Sequence, residues 1–439
     1  MTGGILCIIL YTGFVVLPVI LATFLGSGSE RFIPELGKNF GLMGFMILIA
    51  QFILAARIKW IERAFGFDIV IRYHKNMAVL AGCLLLFHPL LLAAGGRGWQ
   101  LIAGLKMPWY IWLGKVALLV LLLNIFVSSF QTSFKLKYEK WRLGHDILGP
   151  LIIVMAFTHS WIMGDDLELA SMKTLWIFAL ILAIFMFLYH VMIRPWRLKR
   201  CSYRVVDVQP ETENVWTIKM TPPEGADIYD YLPGQFHFVT FYRQMNLPVE
   251  EHHWTISSSP TEEDYVSSTI KALGDFTSTI GKTKKGDRAA VHGAFGRFSH
   301  VLHPEEKDLV FIAGGIGITP FMSMLRHMRK TMDTHSVLLI FANKKEAQIV
   351  FRDELAEMEK GGHPRLKVIH VLSRPDEDWK GETGYVDREK IERFCGADPG
   401  GKVFYVCGPA PMRRAIIADL RNMHVPDERI RMEIFSFLE

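Results

Sequence analysis

HKNMAVLAGCLLLFH, residues 74–88, has the composition of a membrane-crossing helix and carries an imidazole at each end. An ionisable side chain in hydrocarbon is costly and usually functional, so the two histidines need an account. A second stretch, HDILGPLIIVMAFTH, residues 145–159, repeats the arrangement. The spacings are identical: 88 − 74 = 14 and 159 − 145 = 14. At about 100° per residue, fourteen steps fall roughly 40° short of four full turns, so both members of a pair share one helix face. At about 1.5 Å rise per residue they lie about 21 Å apart, which puts one in each leaflet of a core about 30 Å thick.

Around these stretches the chain is divided in composition. Half of its 439 residues are hydrophobic, and nearly all long uncharged runs precede residue 193. Six runs approach the roughly 20 residues a crossing requires, at 3–25, 40–58, 74–94, 110–130, 147–163 and 172–193. The first lacks the basic start of a secretion signal and is too long for one, so it reads as a true span. The connections holding Arg57, Lys59, Arg63, Arg72 and Lys75, then Lys135, Lys137, Lys140 and Arg142, and the exit RPWRLKR are basic, whereas GDDLEL is acidic. The positive-inside rule then places both termini and the soluble half in the cytoplasm of a cell whose plasma (inner) membrane holds the spans. A net charge of +5 follows from these topology signals and gives no nucleic-acid surface. The five cysteines are scattered without a CxxC pair, so neither a disulfide framework nor a zinc or iron–sulfur site is indicated.

The third and fifth spans run in the same direction, so His74 levels with His145 on the cytoplasmic side and His88 with His159 on the outer side. Two facing imidazoles at two depths suit two six-coordinate haems stacked across the bilayer, the iron satisfying nitrogens otherwise orphaned in lipid. For a single pair the plainer reading, a histidine bonded to a neighbour or resting near the interface, is the more common one. The identical spacing on parallel spans is what favours ligation. His190 has no partner at this spacing and reads as interfacial.

Beyond Tyr203 short alternating runs predict an antiparallel barrel: YRVVDV, VWTIKM, QFHFVTF, HWTIS, SSTIKAL and AAVHGAF. From Lys307 the rhythm becomes strand and helix in turn, the pattern of a parallel α/β sheet. The expected domains are residues 1–196, 197–304 and 305–439. In AGGIGITPF, Gly314, Gly315 and Gly317 follow a strand and permit backbone approach to a pyrophosphate. Thr319 is expected to cap the next helix and Pro320 to open it. Tight turns need glycine in any case, and the run is not the GxGxxG fingerprint. After the second strand Lys344, Lys345 and Arg352 are placed to meet a 2′-phosphate, and no acidic residue stands at the strand end to claim a ribose hydroxyl, which favours NADPH over NADH.

YLPGQFHFV (231–239), HHWTISSSP (252–260), IKALGDFT (270–277), AGGIGITP (313–320) and YVCGP (405–409) stand in the order of a ferredoxin reductase-like flavoprotein module. With the paired histidines, the chain resembles the ferric reductase and NADPH oxidase superfamily over nearly everything after residue 70. The resemblance implies a six-helix di-haem bundle, an FAD-binding β-barrel and a nucleotide-binding α/β domain. It implies FAD contacts at His252, Trp254, Thr255 and Ser257, with His253 and Trp254 departing from the family's Pro and Phe. It implies that Lys271, Gly274 and Thr277 hold the FAD pyrophosphate, that Cys407, Gly408 and Pro409 border the nicotinamide, and that Phe437, chosen over Phe435, covers the flavin. The implied activity is transfer of electrons from NAD(P)H through FAD and two b-type haems to an outer acceptor, oxygen giving superoxide or a ferric chelate. No side chain is expected to act as acid, base or nucleophile, and no protein partner or regulatory extension is evident. A haem-free anchored flavin reductase and a transporter with a nucleotide-sensing domain are the rival classes.

Overall fold

The computed structural model describes residues 2–26, 31–244, 246–396 and 399–433. The chain divides into two units, one ending at Pro195 and the other beginning at Trp196.

The first unit is helical: α1 (Thr2–Leu25), α2 (Phe32–Ala55), the short α3 (Lys59–Phe65), α4 (Phe67–Leu92), the short α5 (Gln100–Ala103), α6 (Trp109–Ser129), α7 (Tyr138–Met163) and α8 (Ala170–Leu188). α8 continues through a wider turn, Tyr189–Ile193, into α9 (Arg194–Arg200). Six helices are long and apolar enough to cross a membrane. Large apolar side chains such as Ile9, Phe24, Leu119 and Ile181 stand exposed around the bundle, as a lipid-facing surface requires. The second, third and fifth spans start earlier than the hydrophobic runs predict, at Phe32, Phe67 and Tyr138 in place of 40, 74 and 147. Their first two turns carry charges that the hydropathy of a run excludes but a helix end near the headgroups tolerates.

Glycine decides how the bundle packs. Gly37, Gly41 and Gly44 lie at four- and three-residue steps along α2, and a Cβ at Gly37 or Gly44 would meet Leu91 or Leu85 of α4 at 3.0 or 2.6 Å. The stripe lets two helices approach closely where no hydrophobic drive exists between them. At the other side of α2, Phe45 stacks on Trp176 of α8 at 5.1 Å, and the Trp176 indole N–H donates to Ser160 of α7 at 2.9 Å.

Beyond α9 the second unit forms an antiparallel sheet of β1 (Tyr203–Thr212), β2 (Val215–Thr221), β3 (Phe236–Tyr242), β4 (Glu251–Thr255), β5 (Val266–Lys271) and β6 (Arg288–Phe295). The order is β4-β3-β6-β1-β2-β5, and a bridge from Ile256 to Ser268 joins the two outer strands, closing the sheet on itself. The interior mixes an apolar cluster, including Val239, Phe241, Ile256 and Ile270, with a chain of buried hydroxyls. Thr217 donates to Glu211 at 2.6 Å and pairs with Thr269 at 2.8 Å, Thr269 donates to Ser257 at 2.9 Å, and Ser257 pairs with Ser267 at 3.0 Å. His237 lies between the Tyr229 hydroxyl and Ser268, both at 2.5 Å.

The parallel sheet follows: β7 (Asp308–Gly314), α10 (Thr319–Lys330), β8 (Ser336–Asn343), α11 (Arg352–Gly361), β9 (Arg365–Leu372), β10 (Glu382–Thr383), α12 (Arg388–Cys395), β11 (Val403–Cys407), α13 (Ala410–Asn422) and β12 (Ile430–Met432). The order β10-β9-β8-β7-β11-β12 reverses between β7 and β11. Ligands of open α/β sheets bind at the carboxyl ends of strands where the order reverses. The core lies on both faces, under α10 and α11 on one and under α12 and α13 on the other.

Candidate functional site

The corrected helix starts put the four histidines in equivalent places. His74 is seven residues into α4 (74 − 67 = 7) and His145 seven into α7 (145 − 138 = 7). Their ring centres are 6.2 Å apart. Two imidazoles bound to one metal at about 2 Å have ring centres roughly 6 Å apart, so this separation fits a shared iron. α4 packs along α2 and α7 along α6, whereas α4 and α7 scarcely touch, which leaves a slot between the histidine-bearing faces.

Three of the rings are held through Nδ1, and hydrogen bonds of this kind orient metal-bound histidines and leave Nε2 for the metal. His88 Nδ1 lies 2.8 Å from the Gly37 carbonyl, His159 Nδ1 2.7 Å from the Tyr110 carbonyl and His145 Nδ1 3.2 Å from Asn124 Oδ1. His145 also stacks on Trp141 one turn earlier, at 5.4 Å. His74 Nδ1 is buried beside the Gln51 backbone without a bond of good geometry. Midway between the levels, Ala81 of α4 and Ile152 of α7, each seven residues from both histidines of its helix, join the apolar core. His190 accepts from Arg194 at 3.3 Å.

The outer level depends on two glycines that the histidine pattern did not single out. A Cβ at Gly41 of α2 would lie 2.8 Å from His88 Nδ1, and one at Gly114 of α6 2.8 Å from His159 Cε1. Each imidazole lies against a helix backbone stripped of its side chain. The signal was present in GKNFGLMG, whose glycine steps mark a close-packing face, and in Asn124 as a polar residue inside an apolar run.

In the barrel, β4 separates residues expected to act together. His252 and Trp254 point to the inner face, where His252 packs on Phe276 at 4.3 Å and Trp254 on Phe241 at 5.7 Å. The His252 Nε2 meets Glu250 at 2.9 Å. His253 takes the opposite face with Thr255, against Phe236 and Phe238 at 5.9 and 5.8 Å. Strand alternation forces this division of the side chains between the two faces of β4. The Ser257 hydroxyl is spent in the barrel wall, and its carbonyl accepts from Arg326 of α10 at 2.6 Å. Arg326 also makes a two-pronged pair with Glu354 at 2.7 and 2.6 Å, and Ser323 donates to the Ser258 carbonyl at 2.7 Å, so α10 clamps the HHWTISSSP strand.

At the expected pyrophosphate turn, Thr277 Oγ1 accepts from the Leu273 and Gly274 amides, both at 2.9 Å, so the Gly274 N–H is engaged within the turn. Lys271 ends β5 half-buried. Burial lowers its pKa, and the charge of Lys344 adds to the effect, so the cations expected for the two phosphate groups lie near one another.

The glycines at the reversal point fill two roles. Cβ atoms at Gly314, Gly317 and Gly408 would meet Met412 Sδ at 2.5 Å, the Cys407 carbonyl at 2.4 Å and the Gly314 Cα at 3.1 Å, so these three let the ends of β7 and β11 touch. Gly315 has φ +54° and open space before it, which leaves the turn accessible there. Thr319 does not cap the helix as expected: it is the first helical residue, its hydroxyl donates to the Ile316 carbonyl at 3.1 Å, and Pro320 follows within the first turn. Cys407 is fully buried, and burial raises its thiol well above the ordinary value, which keeps it protonated. Pro409 is exposed at the mouth of the strand end. Lys344 is exposed and forms no ion pair among the described residues, whereas Lys345 pairs with Asp376 at 3.7 Å and Arg352 with Glu346 at 2.5 Å. Glu346 lies three residues beyond the end of β8 at Asn343 and begins a short helical turn. Phe437 lies outside the described residues.

Three family models match successive segments: "Ferric reductase like transmembrane component" at residues 40–156, "FAD-binding domain" at 200–299 and "Oxidoreductase NAD-binding domain" at 311–417. A flavohemoprotein of Deinococcus radiodurans is 28% identical over 242 residues, 53% of this chain and 59% of that protein. NADH-cytochrome b5 reductase 2 of Mus musculus is 29% identical over 206 residues, 41% of this chain and 75% of the other. The chain thus spans less than two thirds of the flavohemoprotein's length. The crystal structure of the cytochrome b5 reductase domain of Ulva prolifera nitrate reductase superposes on 53% of this chain and 96% of its own, at 21% identity and a TM-score of 0.47. The chain is a membrane-spanning ferric reductase-like domain fused to FAD-binding and NAD-binding oxidoreductase domains, the arrangement of the ferric reductase and NADPH oxidase superfamily.

Proposed function

We propose that this protein moves electrons from NAD(P)H on the cytoplasmic side, by way of FAD and two b-type haems, to oxygen on the outer face, giving superoxide. The observation that carries the reading is the facing of His74 and His145 at 6.2 Å, joined to the carbonyl-held Nδ1 atoms of His88 and His159. When bound, the flavin supplies conversion of a two-electron donor into single electrons and the haems supply one-electron carriage. The residues of this chain supply position. Gly37, Tyr110 and Asn124 fix ring orientation. Gly41 and Gly114 make room. Arg326 and Ser323 tie the flavin strand to the nucleotide domain, and Gly315 and Lys344 face the dinucleotide. The proposed domains are residues 1–196, 197–304 and 305–439, with both termini in the cytoplasm of a cell whose plasma membrane holds the bundle. The basic loops at Arg57–Lys75 and Lys135–Arg142 support that orientation.

His74 with His145, and His88 with His159, would hold the two haems, which would supply one-electron carriage to an acceptor at the outer face. Ferric chelate is the alternative acceptor, favoured by the match to a ferric reductase-like component. Purified protein given NADPH and FAD should produce superoxide that superoxide dismutase removes. Reduction of ferric citrate at an unchanged rate without oxygen, and no superoxide with it, would assign the alternative. A haem-free flavin reductase predicts no loss of electron flow in His88→Leu or His159→Leu.

A further inference from the structure

Three histidines outside the electron path gather at the end of the nucleotide domain opposite the glycine turn. His300 lies in the short turn after β6, His327 in the last turn of α10 and His335 immediately before β8. The His300 ring centre is 6.1 Å from that of His327 and 5.8 Å from that of His335. His300 and His335 are 3% and 6% exposed. Each ring keeps one buried nitrogen without a hydrogen-bond partner: Nδ1 of His300, Nδ1 of His327 and Nε2 of His335. Buried polar atoms in native proteins are nearly always satisfied, and three orphans on three neighbouring rings call for a shared partner.

The arrangement of Asp333 says what kind. Its carboxylate accepts from the His335 backbone N–H at 2.9 Å and from the His335 Nδ1–H, which fixes the tautomer and leaves Nε2 with its lone pair. A carboxylate behind an imidazole is the usual support of a metal-bound histidine. Neutral imidazole nitrogens suit borderline divalent ions, and zinc binds them at about 2.0–2.1 Å in a tetrahedron, which puts ring centres on one ion about 5 Å apart, closer than these rings stand.

We propose that His300, His327 and His335 form a zinc(II) site, with Asp333 holding the His335 ring. The donor nitrogens do not all lie within 4.8 Å of one another as the rings stand, so rotation of at least one ring accompanies binding. The site joins the turn leaving the barrel to α10 and β8, and so would fasten the two domains of the soluble unit at the end away from the nucleotide. The neighbouring group of His303, Glu305 and Glu306 is a separate one: His303 faces Glu305 at 3.6 Å, and Glu306 is held by Arg431 and Tyr405.

The test uses the full chain in detergent, treated with chelator, desalted and titrated with zinc chloride, with metal per chain read by mass spectrometry and ligation by X-ray absorption at the zinc edge. The expected result is one tightly held zinc with three imidazole ligands. His327→Gln and His335→Gln should each weaken binding at least about tenfold, and Asp333→Asn about 10- to 100-fold. His303→Gln should leave binding unchanged. Bound flavin reports folding of each variant, and the absorption spectrum of the unsubstituted protein does not depend on any variant folding. Equal zinc in wild type and His327→Gln, loss of zinc in His303→Gln, or an all-oxygen shell would overturn the proposal and leave the cluster as a water-bridged one.

Discussion

A methyl group at Gly41 would lie 2.8 Å from the His88 ring, and one at Gly114 2.8 Å from that of His159, where real contacts almost never come. Neither ring can retreat without giving up its carbonyl at Gly37 or Tyr110. Gly41→Ala and Gly114→Ala should therefore each lower haem content from two per chain towards one, with the inner haem retained, as measured by the pyridine haemochrome assay. Gly149→Ala, whose Cβ would meet only Phe52 at 3.6 Å, should keep both. At the nucleotide end, Lys344 is the exposed cation without an ion pair among the described residues, whereas Arg352 is held by Glu346. Lys344→Ala should raise KM for NADPH about tenfold, the effect of losing about 1.4 kcal/mol from a charge-assisted phosphate contact, and leave KM for NADH nearly unchanged. An equal rise for both dinucleotides would place Lys344 elsewhere in the binding mode.

Elements were legible in the sequence wherever periodicity alone determines them. The six barrel strands and the strand–helix alternation after Lys307 follow from the pattern of apolar residues, and so do six membrane helices. Side-chain direction within the motifs was not legible, because a motif names residues and a strand then alternates them: His252 and Trp254 were read with Thr255 and Ser257, and β4 separates them. Thr319 shows the same limit, since whether a threonine caps a helix or begins it turns on one residue of register. Gly317 packs onto the Cys407 carbonyl, a backbone atom that cannot move aside. Gly317→Ala should destabilise the nucleotide domain by about 1–3 kcal/mol as overpacking does, visible as a lower thermal midpoint. Inside the barrel, burial pushes the His237 pKa down to about 3, against about 6.5 in an unfolded chain. Between those values the unfolded state binds the extra proton, so stability is full above pH 6.5 and is lost as pH falls towards 3, by up to about 1.4 kcal/mol per unit. His237→Gln should flatten that slope in denaturant melts taken from pH 7 to pH 4.

For the whole molecule, the two units meet different requirements. The helical unit turns a broad apolar surface outward on six helices long enough to cross a membrane. The second unit packs Gly314, Gly317 and Gly408 where the order of the parallel sheet reverses, and ties α10 to Ser257 and Ser258. The central claim is that the histidine levels carry electrons delivered by the soluble unit. An optical spectrum of the purified protein, recorded without oxygen before and after NADPH with FAD present, tests it most directly. The account predicts two b-type haems per chain, both reduced by NADPH, with His159→Leu losing one haem and outer-face reduction while NADPH still reduces the other. Absence of haem bands, or bands that NADPH leaves oxidised in the presence of FAD, would contradict it.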